Sequence, residues 1–210
     1  MFRHRQKQLS LFVVFVFGFV LFFFGTDGFT AFTAEKARTN KLIDQQPQLP
    51  QVTLEDSLGL KYDFNEFNDK YLFMTFFYTG CTTVCPLLEQ NVAEIYEQIP
   101  EQYLGEDIVF LSVSFDRERD VPEVLKRYGT AFGSDEDTWR MARVPDEKEL
   151  EKLLKEFGVI AIPINDGDFQ HNVAFYLVDK EGYLIDVMDF NDIDGATKRV
   201  MELLENTMEG

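Results

Sequence analysis

Residues 70–90 read KYLFMTFFYTGCTTVCPLLEQ, and this stretch decides the architecture. Its first ten residues are nearly all apolar and rich in aromatics. That is the pattern of a strand buried on both faces of a parallel sheet, not of a strand with one wet face. From Pro86 the period changes: Leu88, Val92, Ile95 and Ile99 fall on one helical face, and Pro86 suits a first helical turn. Between strand and helix lie Cys81 and Cys85, the only cysteines of a 210-residue chain. A dithiol at the junction of a buried strand and its following helix points to a thioredoxin-like α/β fold, a central β-sheet flanked by helices. The spacing is CxxxC, one residue longer than the CxxC of the usual redox motif.

Outward from this stretch, elements alternate. VTLEDSLGLKYDF (52–64) predicts an N-terminal β-hairpin with its turn near Ser57–Gly59. DIVFLSVSFD (107–116) predicts a second buried strand, and RDVPEVLKRYG (119–129) a helix capped by Asp120. PDEKELEKLLKEFGV (145–159) predicts a helix with Leu150, Leu153, Leu154 and Phe157 inward. HNVAFYLVD and YLIDVMDF form a hairpin around Lys180–Gly182, and residues 192–208 close the chain as a helix. Residues 51–210 therefore read as one domain. Residues 35–50, EKARTNKLIDQQPQLP, lack periodicity and read as a tether.

Residues 1–34 differ in kind. Arg3, Arg5 and Lys7 precede a run with no charge before Asp27, rich in phenylalanine and valine on every side. The run is short for a transmembrane helix and long for a signal-peptide core. It lacks a small-x-small cleavage site, because Phe32 stands where a small residue is wanted. An uncleaved signal anchor is expected: a single-pass protein of the cell membrane, basic end in the cytoplasm and domain on the extracytoplasmic side. The cysteines would then lie in an oxidising compartment. The net charge is −17, and the part beyond residue 34 carries −19 because the first 34 residues hold three basic and one acidic side chain. Such acidity excludes nucleic acid as a partner, which needs a basic footprint.

Cysteines at i and i+4 on a helix share a face, so the two thiols can converge on one soft ion or close a disulfide. A helix N-terminus favours the thiolate that either chemistry uses. Spacing alone leaves the metal and redox readings level. A purely structural disulfide would close a loop too short to constrain much of the unfolded chain. His171 is the single histidine beyond the N-terminal segment, the other being His4. Two thiolates and an imidazole make a trigonal set suited to Cu(I), whereas structural zinc wants four protein ligands.

The stretches FFYTGCTTVCPLL, SVSFDRERDVPEVLKRY, the lone Trp139 followed by ELEKLLKEFGV, and HNVAFYLVDKEGYLID together resemble the Sco (SenC) family, over roughly residues 50–207. The family's members are copper-delivery proteins of cytochrome oxidase assembly. The resemblance implies copper, as Cu(I) or Cu(II), bound by the sulfurs of Cys81 and Cys85 and by His171, with the cysteines also forming a redox-active disulfide. It implies that Asp116, at the end of a buried strand, supports the metal loop. The expected partners are the copper-bearing subunit of cytochrome c oxidase or another copper protein, a thiol reductant, and the membrane through the anchor. Arg117 stands where family members often carry proline, and WRMARVP replaces a segment that commonly ends in Thr-Gly. Two other functions suit the same residues: a membrane-anchored thiol–disulfide oxidoreductase that reduces exported cysteines, and a peroxidase-like enzyme with a resolving cysteine.

Overall fold

The computed structural model describes residues 13–21, 34–164 and 167–208. The chain divides into two units, Met1–Gln45 and Gln46–Gly210. In the first, residues 13–21 are helical (α1) and expose their valines and phenylalanines. No helix among the described residues is long and apolar enough to cross a membrane. Most of the expected anchor lies outside the described residues. Where the sequence suggests an irregular tether, Ala34–Gln45 form a 12-residue helix, α2. Within it, Arg38 Nε donates to Glu35 Oε2 at 3.0 Å and Thr39 Oγ1 to the Glu35 carbonyl at 3.0 Å. Only Gln46–Pro50 are left as non-helical connection.

The second unit is built on a seven-stranded sheet. Its strands are β1 (Leu54–Asp56), β2 (Lys61–Tyr62), β3 (Tyr71–Phe77), β4 (Ile108–Ser114), β5 (Trp139–Arg143), β8 (Phe175–Val178) and β9 (Leu184–Met188). They are ordered β2-β1-β5-β4-β3-β8-β9. β3, β4 and β5 run parallel in the middle, in register Phe77↔Ser114 and Ser114↔Arg143. The antiparallel hairpins β1–β2 and β8–β9 complete the two edges. Every residue of β4 is buried, as are all of β3 after Tyr71, which is why both read as predominantly apolar runs with no alternating polar face. Phe73 packs against Phe110 and Phe175 with ring centroids at 4.9 and 5.1 Å, placing the core on the central strands.

Helices α3 (Val84–Gln98), α4 (Pro122–Phe132), α5 (Glu147–Glu156) and α6 (Ile193–Met208) flank the sheet. α3 packs on α6, and α4 packs on β5 and β1. α3 buries Leu88, Val92, Ile95 and Ile99, the face its spacing predicts. α5 is capped by Asp146, whose carboxylate accepts from the Lys148 and Glu149 amides. α4 is not capped as expected: its N-cap is Val121, and Asp120 faces inward instead.

Two elements differ from the sequence reading. Trp139–Arg143, assigned no element there, is the third parallel strand. His171 does not open the strand of residues 175–178. It ends β7 (Phe169–His171), which pairs with β6 (Ala161–Pro163) as a separate two-stranded sheet. Together β3, the turn into α3, the end of β4 and this small hairpin frame one site at the carboxyl ends of the parallel strands.

Candidate metal centre

β3 ends at Phe77, and the chain then turns through Tyr78, Thr79 and Gly80 to Cys81. The Cys81 amide donates to the Tyr78 carbonyl at 3.3 Å. The Thr79 amide and hydroxyl both donate to the Asp120 carboxylate, at 2.9 and 2.5 Å, and the Ser114 hydroxyl donates to it as well. Asp120 is fully buried and ties the end of β4 to the loop before Cys81. Burial pushes its carboxyl up, and the three donors oppose that shift. The cap reading of Asp120 is thus corrected: the residue holds the cysteine loop.

Cys81 and Cys85 are both free thiols and both buried, at 5% and 0% exposure. Because α3 starts between them, the Cys85 amide donates to Cys81 Sγ at 3.3 Å. Burial raises the Cys81 thiol pKa. The Cys85 and Thr83 amides, the Cys85 side chain and His171 outweigh it, so the pKa falls to about 6. Cys85 goes the other way, pushed far up by burial and by the neighbouring Cys81 and Glu89. One thiol is primed as a thiolate while its neighbour holds its proton.

His171 Nε2 lies 3.7 Å from Cys85 Sγ and 4.0 Å from Cys81 Sγ. Its Nδ1 sits 3.2 Å from the Asn172 carbonyl, which can only accept. Nδ1 therefore carries the proton, and Nε2 turns its lone pair to the sulfurs. The imidazole is packed between rings, with the Phe115 and Tyr78 centroids 5.3 and 5.7 Å away. Tyr78 reaches past it: its hydroxyl bonds the Asp168 carboxylate at the base of β7. The three expected ligands are thus brought together, with ligand atoms within 4.8 Å of one another and no fourth His, Cys, Asp or Glu in the group among the described residues. Two sulfurs and one nitrogen suit a soft ion, and the missing fourth protein donor leaves a position for exchange.

Asp116 is buried just beyond the end of β4. Its carboxylate accepts from the Arg119 amide at 3.1 Å and pairs with the Arg119 guanidinium, which in turn donates to the Gly167 carbonyl. It acts on the segment leading into β7, and so on the His171 side of the site. Sequence reasoning passed over Tyr78 and Arg119 and took Asp120 for a helix cap. Of these, only Asp120 carried a usable signal, an acid four residues after Asp116 in a loop ending a buried strand.

Below the site, Glu89 follows Cys85 by one turn of α3 and is fully buried. Thr75 Oγ1 and Ser112 Oγ donate to its two oxygens at 3.1 and 2.7 Å, and Trp139 Nε1 donates to Ser112 Oγ at 3.1 Å. Burial raises the Glu89 carboxyl to about 7, since two hydroxyls and no cation compensate it.

The SCO1/SenC family model matches residues 41–209. The SCO1 protein homolog of Bacillus subtilis is 23% identical over 151 residues, covering 71% of this chain and 76% of its own. Among solved structures, a SCO1/SenC family lipoprotein from Bacillus anthracis aligns with a TM-score of 0.64 at 25% identity, over 73% of this chain and 95% of that one. Yeast Sco1 with copper bound aligns with a TM-score of 0.65 at 23% identity, over 76% and 89%. Spanning both cysteines, His171 and every strand of the sheet, the family match places this chain in the SCO1/SenC family.

Proposed function

We propose that this protein is a copper metallochaperone, held at the extracytoplasmic face of the cell membrane by its N-terminal segment. It delivers copper to the binuclear copper centre of a terminal cytochrome c oxidase during assembly. The observation that carries this reading is the three-donor cluster, two thiols and an imidazole nitrogen within 4.8 Å. Such a set holds Cu(I) without closing its coordination, and an incoming donor can take the open position. The copper-bound relative supports the choice of metal. The exposed apolar side chains of α1, after Arg3, Arg5 and Lys7, support the anchor.

In this reading the residues divide the work. Cys81, already a thiolate near neutral pH, is the first to bind incoming copper. Cys85 gives up its proton as the ion arrives, and His171 completes the trigonal set. A Cys81–Cys85 disulfide would remove both sulfur ligands at once, so a thiol reductant has to act before loading.

One observation favours a second reading, thiol–disulfide exchange: the opposite shifts of Cys81 and Cys85 resemble a nucleophile and its buried partner. Anaerobic titration of the reduced full-length chain with Cu(I) and Cu(II) separates the two. One copper per chain is expected. Cys85→Ser abolishes tight Cu(I) binding, whereas His171→Ala weakens Cu(I) modestly and Cu(II) heavily, and oxidase assembly fails in both. Copper binding that is indifferent to His171→Ala in both oxidation states, with brisk disulfide exchange, would select the oxidoreductase. Equal copper uptake by oxidised and reduced protein would sink the chaperone reading.

A further inference from the structure

Beyond Gln45, seven large apolar side chains are exposed among the described residues. Four of them, Leu87, Ile160, Ile162 and Ile164, ride on or beside the two elements that carry Cys85 and His171, with exposures of 46–52%. Strand alternation explains the isoleucines. Ala161 and Pro163 share one face of the β6–β7 hairpin with their partners His171 and Phe169, and Ile160, Ile162 and Ile164 fall on the opposite face. Nothing in the fold requires a β-branched apolar row on the wet side of a two-stranded ribbon, where polar residues would serve.

Resting on the delivery reading, we infer that this isoleucine face is the docking surface for the copper-exchanging protein, and that the partner presents an apolar patch bordered by lysine or arginine. Two observations choose that occupant. The cysteines are only 5% and 0% exposed, so an acceptor has to bring its own ligands to the mouth beside His171, and a protein does so efficiently only by docking there. The surroundings are acidic: the cleft under the hairpin, about 450 Å³, is lined by four carboxylates against two guanidiniums, and Asp168 on the hairpin side adds a fifth acid. The guanidiniums are engaged, Arg117 with Glu118 and Glu147 at 3.3 and 3.5 Å and Arg119 with Asp116. A second copy of this chain, at −17, and an anionic lipid surface are both repelled. A basic, apolar-centred protein face is attracted, with the apolar centre and charged rim common to protein interfaces.

The test loads the full-length chain, in detergent, with Cu(I) and follows transfer to two acceptors. One is the soluble copper-bearing domain of the oxidase subunit from the same organism. The other is the chelator bathocuproine disulfonate, which needs no docking. Ile160→Ser/Ile162→Ser should slow transfer to the domain about tenfold, the scale of losing one or two buried interface side chains, and leave transfer to the chelator unchanged. Wild-type transfer to the domain should slow as salt rises from about 50 to 500 mM. The exposed pair Leu58→Ser/Leu60→Ser, on the distant β1–β2 turn, should change neither. Equal rates for wild type and the isoleucine variant refute the surface and leave delivery intact. Equal slowing toward both acceptors, or equal slowing by the Leu58/Leu60 variant, also refutes it. A wild type that loads the chelator but never the domain refutes delivery, and the surface falls with it. Copper exchange that speeds up on anionic vesicles overturns the choice of a protein partner.

Discussion

Replacing Glu89 by glutamine should stabilise this protein at alkaline pH and do little in mild acid. The carboxyl is raised from the ordinary 4.5 to about 7 because it is fully buried and compensated by two hydroxyls alone. The native state therefore holds its proton where the unfolded chain has lost it. Its folding contribution is complete below pH 4.5, declines as pH rises, and is lost above about 7. At 1.36 kcal/mol for each pH unit between the two values, the loss reaches about 3 kcal/mol at pH 8 and stays under about 1 kcal/mol at pH 5. Glutamine imitates the protonated acid, accepting at one position and donating at the other, and Thr75 and Ser112 can rotate their hydroxyls to match. Urea unfolding of the reduced, chelator-treated protein measures this, followed by the fluorescence of Trp139. That indole is buried and bonded to the Ser112 hydroxyl that serves Glu89. With a denaturant slope of roughly 2 kcal/mol per molar, the variant's midpoint should exceed that of the wild type by roughly 1.5 M at pH 8 and by little at pH 5. A difference that does not change with pH, or a variant weaker than wild type at pH 8, would refute the reasoning.

Two more expectations concern the cysteine loop. Iodoacetamide should alkylate the reduced, metal-free chain at Cys81 with a rate that climbs with pH about a midpoint near 6, while buried Cys85 stays unmodified; peptide mapping by mass spectrometry checks both, and a midpoint near the ordinary 9 would contradict the hydrogen-bonded thiolate. Asp120→Ala strips one acceptor from the Thr79 amide, the Thr79 hydroxyl and the Ser114 hydroxyl together, so it should cost about 3 kcal/mol in urea unfolding and speed amide exchange at Thr79. Unchanged exchange there would mean that Asp120 is not what holds the loop.

The parts of this fold that could be read from the amino-acid order are those governed by burial period. β3 and β4 are covered on both faces and so are apolar apart from the buried hydroxyls of Thr75, Ser112 and Ser114, and α3 buries one face and so repeats every three to four residues. The cysteine pair was legible because both members lie within one turn. What escaped depends on partners distant in sequence. β6 and β7 are three residues each, and in 160–164 exposed isoleucines alternate with a half-buried Ala161 and an exposed Pro163, so no polar side marks a strand. Trp139–Arg143 mixes arginine with apolar residues because its arginines find acids elsewhere, Arg143 with Glu55 and Arg140 with Glu66. α2 showed no stripe because Leu42 is its one buried large apolar side chain among the described residues, too few to mark a face. Asp120 looked like a cap because the same carboxylate chemistry serves an exposed helix end and a buried loop. Only the packing of β4 against the Cys81 loop distinguishes them.

His171 reaches the sulfurs across 86 residues of chain, whereas Cys81 and Cys85 are four apart. An unfolded chain thus already possesses the dithiol, but owns the third donor only after β4, β5 and the small hairpin have closed over it. Copper met early would be gripped by a flexible two-sulfur clip that takes no part in specifying the native state. Copper met after closure binds the folded form more tightly than the unfolded one, and that difference returns to folding as added stability. The long sequence gap thereby makes the order of events matter: maturation favours folding before metallation, and the loaded protein resists unfolding by the amount that His171 contributes to affinity.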